Sequence, residues 1–248
     1  MKDRRCGWIP DHPDIRDTHY RAVAPTPIDK IDLRPFMPPV YNQGNLGSCT
    51  ANGVCALLQY MAMQTGVTFS RIAPSRLFVY FNTRSLEGTI NEDAGGMIRD
   101  AVKAANRWGA PSEVPTWPYV EDHFTMRPSP AAYKEAERDQ ALAYKRVSNV
   151  IEIEHALASK LPVVFGTTLY DSFNKVEADG IVHMPATTEQ PMGGHCMVIV
   201  GFDRAKQHFI VRNSWGKEWG KEGYCFFPYA YIGDRNLTDD MWVISKIG

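Results

Sequence analysis

No stretch of this 248-residue chain approaches the roughly 20 consecutive apolar residues that a membrane-spanning helix requires. No CxxC and no HxxxH spacing occurs, so the usual patterns of a structural zinc site are missing and neither metal nor cofactor is expected. The acidic run from Glu87 to Asp93 lacks the glycine and carboxylate spacing of a calcium loop and reads as a solvated turn. Charge of one sign is not in excess. The net charge of −1 offers no electrostatic basis for binding nucleic acid or an anionic membrane. Cysteine is scarce, with five residues at 6, 49, 55, 196 and 225, an odd count and too few for a disulfide-stapled scaffold. Cys55 and Cys196 lie in apolar segments and read as free core thiols, and a mostly or wholly reduced protein is expected. The start of the chain, Met1 to Arg5, is basic but is not followed by the apolar core of a signal peptide. That favours the cytoplasm, or a chain exported after losing a targeting segment.

What is present is ordinary for a globular protein, with 44% hydrophobic and 22% charged residues. The length suits one large domain or two small ones around a sizeable core. Residues 1–28 stand apart. Pro10, Pro13, Pro25 and Pro27 and the absence of any sustained period predict an extended arm, with Trp8, Ile9, Ile15 and Tyr20 as its apolar anchors. Pro35, Pro38 and Pro39 keep residues 29–42 extended. Helical spacing then predicts helices beginning at Cys49, at Pro74 to Asn82, at Ile98 to Gly109 and, behind Ser129-Pro130, on to about Ala143. Strands are predicted at Ala143 to Ile151, Leu161 to Leu169, Gly180 to Met184, His195 to Phe202, His208 to Asn213, Gly223 to Phe227 and Met241 to Ile244, with a short helix at Glu152 to Lys160. The fold class is α+β: a helical half, about 41–117, then an antiparallel β half, about 118–248, with a cleft between them.

The stretch Gln43-Gly44-Asn45-Leu46-Gly47-Ser48-Cys49 holds the first chemical signal. Ser48 is a candidate N-cap, which sets Cys49 in the first turn of a helix. There the helix dipole and free N–H groups favour thiolate, and a loop-to-helix junction exposes the sulfur. Gln43, six residues upstream (49 − 43), can fold back as an oxyanion donor. His195 follows Gly193-Gly194 and opens a strand, hence at a mouth rather than in a core. Asn213 ends the next strand, 18 residues on (213 − 195), and a hairpin brings its amide to the His195 ring. This is a nucleophile, a base and an orienting group. Trp215 and Trp219 follow and can keep water from the His–Asn bond.

In these features the chain resembles the papain-like cysteine peptidases. The resemblance rests on Gln43-x5-Cys49, on Gly194-His195 before an apolar strand, and on Arg212-Asn213-Ser214-Trp215-Gly216 with Trp219-Gly220 and Gly223-Tyr224. The interval from Cys49 to His195 is 146 residues (195 − 49), inside the roughly 130–150 typical of that family. The resemblance spans about residues 29–244. It implies a two-lobe fold, a barrel-like β lobe, and a peptidase domain over 29–248 behind the arm. It implies a cysteine endopeptidase in which Cys49 attacks, His195 moves the proton, Asn213 orients it and Gln43 stabilises the oxyanion. It places Gly95, Gly96, Met97, Gly194 and Trp215 beside substrate and implies an apolar preference at the second residue from the cut. Leu46 and Thr50 depart from the family, which usually has a bridged cysteine and an aromatic residue there, and the usual long helical pro-domain is absent. The expected partners are peptide or protein substrates and the chain's own arm, laid in the cleft as a zymogen-like restraint or as a brace. A monomer is expected. Two alternatives use the same residues: a papain-fold binding protein that does not turn over, and a thiol amidase or acyltransferase.

Overall fold

The structure, a computed structural model, describes residues 5–22, 24–66, 72–138, 140–176 and 178–248; the first four residues of the arm and residue 23 lie outside the described residues. The arm carries a short strand, β1 (Trp8–Ile9), and the crossing segment another, β2 (Lys30–Asp32). Helix α1 (Cys49–Thr65) follows, buried on every side from Cys49 to Ala62 rather than along one stripe. It has neighbours all round: the helices on one side and β strands on the other. Gly53 permits the closest approach, because a Cβ there would stand 2.9 Å from the Val164 side chain and 3.1 Å from the Cys196 sulfur. Beside it lies α2 (Arg76–Glu87), capped by Ser75, whose Oγ accepts the Phe78 N–H at 3.2 Å. Strand β3 (Gly96–Met97) runs straight into α3 (Ile98–Trp108), whose Ile98, Ala101, Val102 and Ala105 face the core.

The second half begins with α4 (Pro130–Ala136), with proline in its first turn. This helix stops earlier than the polar pattern predicts, since from Ala141 the chain is recruited into β4 (Ala141–Val147) by pairing with the last strand. The predicted strand to Ile151 also ends early. Asn149 accepts the Glu152 N–H at 3.0 Å and starts α5 (Val150–Ala158). Strands β5 (Val163–Tyr170), β6 (Pro191–Asp203), β7 (His208–Arg212) and β8 (Tyr224–Pro228) come next. The short α6 (Tyr229–Gly233) and then β9 (Thr238–Ile247) close the chain. Residues 180–184 form no strand; only Ile181 bridges Phe226, behind a turn at Gly180 whose φ is +77°.

The sheet is antiparallel in the order β4-β9-β5-β6-β7-β8. The long β6 organises it, pairing with β5 along its first part and with β7 along its second. Where β5 ends, at Val163 opposite Ile199, β2 takes over the same edge with Asp32 opposite Gly201. One apolar cluster runs through α1, α3 and the sheet, so both halves share a core. The arm adds a separate two-stranded piece, β1 parallel to β3.

Candidate active site

Cys49 is the first residue of α1, and the loop before it is bolted down by side chains. Gln43 anchors one end: its N–H donates to the Ser214 carbonyl at 2.9 Å, and its Oε1 accepts the Ser214 hydroxyl at 2.7 Å. The Gly47 N–H donates to Asp93 at 3.0 Å. Asp93 also accepts the Tyr80 hydroxyl at 2.5 Å, so this end of the acidic run is fixed to the loop, while Asn91 and Glu92 stand exposed as a solvated turn should. Ser48 occupies the cap position but makes no capping bond. Tyr119 donates to the Gln43 carbonyl at 2.8 Å and therefore accepts from Ser48 Oγ at 2.6 Å, while Asn52 donates to that oxygen at 3.0 Å. The hydroxyl thus joins the loop to the far wall instead of to its own helix.

His195 is fully buried, the fifth residue of β6 and not its first. The strand reaches further upstream than the glycines suggest because β5 pairs with it as far as Tyr170 opposite Pro191. Nε2 of His195 lies 2.8 Å from Oδ1 of Asn213, and Oδ1 also accepts the Ser214 N–H at 2.8 Å. An acceptor oxygen requires the proton on Nε2, so Nδ1 is the unprotonated nitrogen of the neutral ring. The Trp215 ring lies 4.8 Å from the His195 ring and tilts by 31° over it. Trp219 and Phe173 back it at 5.3 Å and 5.5 Å. Trp215 is thus a roof over the His–Asn pair, while Gly95, Gly96, Met97 and Gly194 meet the arm. The backbone N–H of Cys196, the residue after His195, donates to the Cys49 sulfur.

The arm runs through this place. The Arg5 carbonyl accepts Gln43 Nε2 at 3.1 Å, and that amide also donates to the Leu46 carbonyl at 2.9 Å. The Gly7 carbonyl accepts the Gly96 N–H at 2.8 Å, and β1 continues the pairing with Trp8 opposite Gly96 and Ile9 opposite Met97. The groove is bare backbone. A Cβ would meet the Gly7 oxygen at 2.2 Å from Gly95, the Trp8 ring at 2.0 Å from Gly166, the Trp8 carbonyl at 2.3 Å from Gly194 and Cys6 at 3.0 Å from Gly193. The Trp8 indole N–H donates to Asp240 at 3.1 Å. Gly166 and Asp240 carry no motif in the sequence. Nothing short of the β5–β9 pairing would have found them.

Cys49 is therefore completely buried, where a junction at a helix start was expected to expose it. Burial pushes its thiol up to about 12, and the N–H groups of Cys196, Gly7 and Thr50 offset only part of this. Under the arm the sulfur is a neutral thiol; the dipole argument for thiolate loses to desolvation. All five cysteines are free thiols.

Further along, the arm is latched. Asp11, its side chain wholly buried, accepts the Arg99 backbone N–H at 3.0 Å and the Trp242 indole N–H at 2.9 Å, and lies 3.3 Å from Arg146. Asp17 pairs with Arg99 at 2.5 Å, and Tyr20 bonds His155 at 2.9 Å. Ile15, expected as an anchor, is fully exposed.

Cys49, the His195–Asn213 pair and Gln43 lie between a central helix and an antiparallel sheet, and are the kinds of group that cysteine hydrolysis requires. The sequence matches the papain family cysteine protease description over residues 24–231. The chain belongs to that family and is a cysteine-type peptidase. It is 36% identical to an uncharacterized peptidase C1-like protein of Acanthamoeba polyphaga mimivirus, over 98% of this chain and 88% of that one. It is 35% identical to xylellain, a cysteine protease from Xylella fastidiosa, whose crystal structure superposes with a TM-score of 0.90 over 100% of this chain and 99% of that one. Cathepsin K of Gallus gallus is 27% identical over 83% of this chain, which spans only 59% of that protein.

Proposed function

We propose that the protein is an endopeptidase whose own N-terminal arm restrains the cleft. The observation that carries this is the arm carbonyl of Arg5 on Gln43 Nε2 while the residues beside it cover Cys49. In the open enzyme, water reaches Cys49 and His195 Nδ1 takes its proton. The thiolate attacks the scissile carbonyl, and the Gln43 amide and the Cys49 N–H receive the oxyanion that Arg5 now mimics. The imidazolium then protonates the leaving amine, and water hydrolyses the acyl-enzyme. Asn213 holds the ring in that tautomer and Trp215 keeps the bond dry. An aromatic or apolar residue second from the cut suits the pocket that Trp8 fills against Gly166 and Gly194.

Removing residues 1–28 tests the restraint. Arg99 and Arg146 then gain water in place of Asp11 and Asp17, so no buried charge is stranded and the fold should hold. The truncated chain is expected to be alkylated at Cys49 faster, and to cleave peptides with an apolar residue second from the cut faster, than the intact one. Equal rates at unchanged thermal stability would leave the arm a brace.

The latch also gives a pH dependence. Burial, and then the neighbouring Asp240, push the Asp11 carboxyl up from 3.8 to about 6, against the Arg99 N–H, Trp242 and the Arg99 charge. In a released arm it returns to its ordinary value. The docked arm therefore holds the proton more tightly. This contribution is fully present below about 4, and is lost as pH rises through about 6. The Gly96 N–H, bonded to Gly7, should be better protected from hydrogen exchange at pH 5 than at pH 7.5 after correction for intrinsic rates. Asp11→Asn should flatten the difference; no difference in the parent chain would refute it.

A further inference from the structure

The edge that faces the cleft is a strand of two residues with little of its own to keep it extended. Among the described residues β3 pairs in a sheet with β1 alone, so release of the arm removes its one strand partner. An edge accepts an added peptide strand through outward-facing N–H and C=O groups, and these must stay aimed when no strand is there.

Helix α2 supplies the aim. Tyr80, Thr83, Arg84 and Glu87 share one face of it, and all four meet the loop that ends in β3. The Arg84 guanidinium donates to the carbonyls of Ile90 and Glu92 at 2.8 Å and 3.0 Å. The Tyr80 hydroxyl donates to Asp93 at 2.5 Å and accepts the Gly95 N–H at 3.1 Å. Oε1 of Glu87 accepts the Met97 N–H at 2.8 Å. Gly96, between them, is pressed onto the helix: a Cβ there would stand 2.7 Å from the Thr83 methyl. Its N–H is the one turned outward, to the Gly7 carbonyl at 2.8 Å. The two flanking N–H groups are thus tied inward, and the middle one is left for a partner strand.

Among the described residues, the hydrogen bonds of Tyr80 and Glu87 run to this loop and not to the arm. Burial raises the Glu87 carboxyl to about 7, with the Met97 N–H opposing it and Asp100 and Asp11 adding to it. The bond to Met97 does not depend on that charge, because a carboxylate, a carboxylic acid and an amide each present an acceptor oxygen.

We infer that Tyr80 and Glu87 are positioning residues for peptide binding, which hold Gly95-Gly96-Met97 in the shape that pairs with a substrate backbone. The inference rests on the peptidase reading above, in which the acyl side of the substrate lies along Gly95-Gly96. A peptide that reaches this edge gains from both residues. One that stops at the residue next to the cut gains from neither.

The test uses the full-length chain carrying Trp8→Ala and Asp11→Ala, which loosen the arm so that it competes little for the edge. Two fluorogenic substrates share a leaving group. The long one has four residues before the cut, with phenylalanine second from it; the short one has a single residue. Tyr80→Phe keeps the ring that lies under Arg84 and deletes the hydroxyl. Tyr80→Phe and Glu87→Ala are each expected to lower kcat/KM for the long peptide about tenfold, through KM, and to leave the short one within about twofold. Glu87→Gln, which retains the acceptor, should bring the long peptide back to within about threefold. Long and short peptides losing rate together would make both residues parts of the fold only, and overturn the inference. No loss on the long peptide, or Glu87→Gln no better than Glu87→Ala, would overturn it too. The long peptide is also bound to the same chains with Cys49→Ala added, where its Kd should rise about tenfold with Tyr80→Phe and with Glu87→Ala. That rise, in chains whose Cys49-intact forms cut neither peptide, would refute the peptidase reading and leave the positioning role standing.

Discussion

Cys49→Ala in the arm-deleted enzyme is expected to lower peptide hydrolysis by at least about 10⁴-fold while leaving thermal unfolding almost unchanged. A thiolate nucleophile has no substitute in this cleft, and what survives its loss in such enzymes is the modest effect of binding and oxyanion donors. The structural cost is small. The side chain loses one sulfur at a position that the released arm exposes to water, and the loop before it is held by Gln43, Ser48 and Asp93 rather than by Cys49. Cys55→Ala is the matched control. Cys55 is equally buried in α1, but inside the core and away from the His195–Asn213 pair, so its variant loses some stability and keeps activity. Asn213→Ala should fall between them, on the order of 10²-fold down, because the imidazole remains but its tautomer is no longer held. Alkylation mapping to Cys55 or Cys196 in place of Cys49, or hydrolysis surviving Cys49→Ala, would remove the assignment. It would also separate the peptidase from a binding protein of the same fold, in which none of the three changes matters.

The Cys49–His195–Asn213–Gln43 constellation is legible in the sequence because each member sits in a local pattern: a turn before a helix, or a hairpin that folds its two ends together. Its state is not legible. The thiolate expected from the helix start becomes a neutral thiol because the arm, with Cys6 and Gly7 at the sulfur, lies over it, and no local pattern reports a cover. The same limit applies to the latch. Asp11 reads as one acid in a polar run, yet its indole partner Trp242 is 231 positions away. Composition marked residues 1–28 as extended and gave four apolar anchors, but could not rank them. Trp8 is packed on Gly166, Tyr20 is tied to His155, and Ile15 stands in water. The strand limits erred for a related reason. Thirteen residues of β6 are a strand because β5, β7 and β2 each offer an edge, and pairing overrides the two glycines that seemed to end it.

That ranking of anchors sets the last expectation. Trp8→Ala in the otherwise intact chain should raise the rate of Cys49 alkylation by about 10²-fold, and Ile15→Ala should leave it within about twofold. The Trp8 ring lies against the bare backbone of Gly166 and Gly194 and donates its N–H to Asp240. Truncating a packed tryptophan costs about 3 kcal/mol, which shifts a docking equilibrium by about 10². The cost falls on docking rather than on folding, because the pocket behind Trp8 is made by β5, β6 and β9, which pair with each other whether or not the arm is present. Asp240 keeps Arg146 at 2.6 Å, so losing the indole does not strand its charge. Ile15 contacts solvent on all sides and has nothing to lose. Equal alkylation of the two variants would mean that the arm is held by Asp11 and Asp17 alone. A lowered midpoint of unfolding with unchanged alkylation would mean that Trp8 is part of the fold and not of a removable cover.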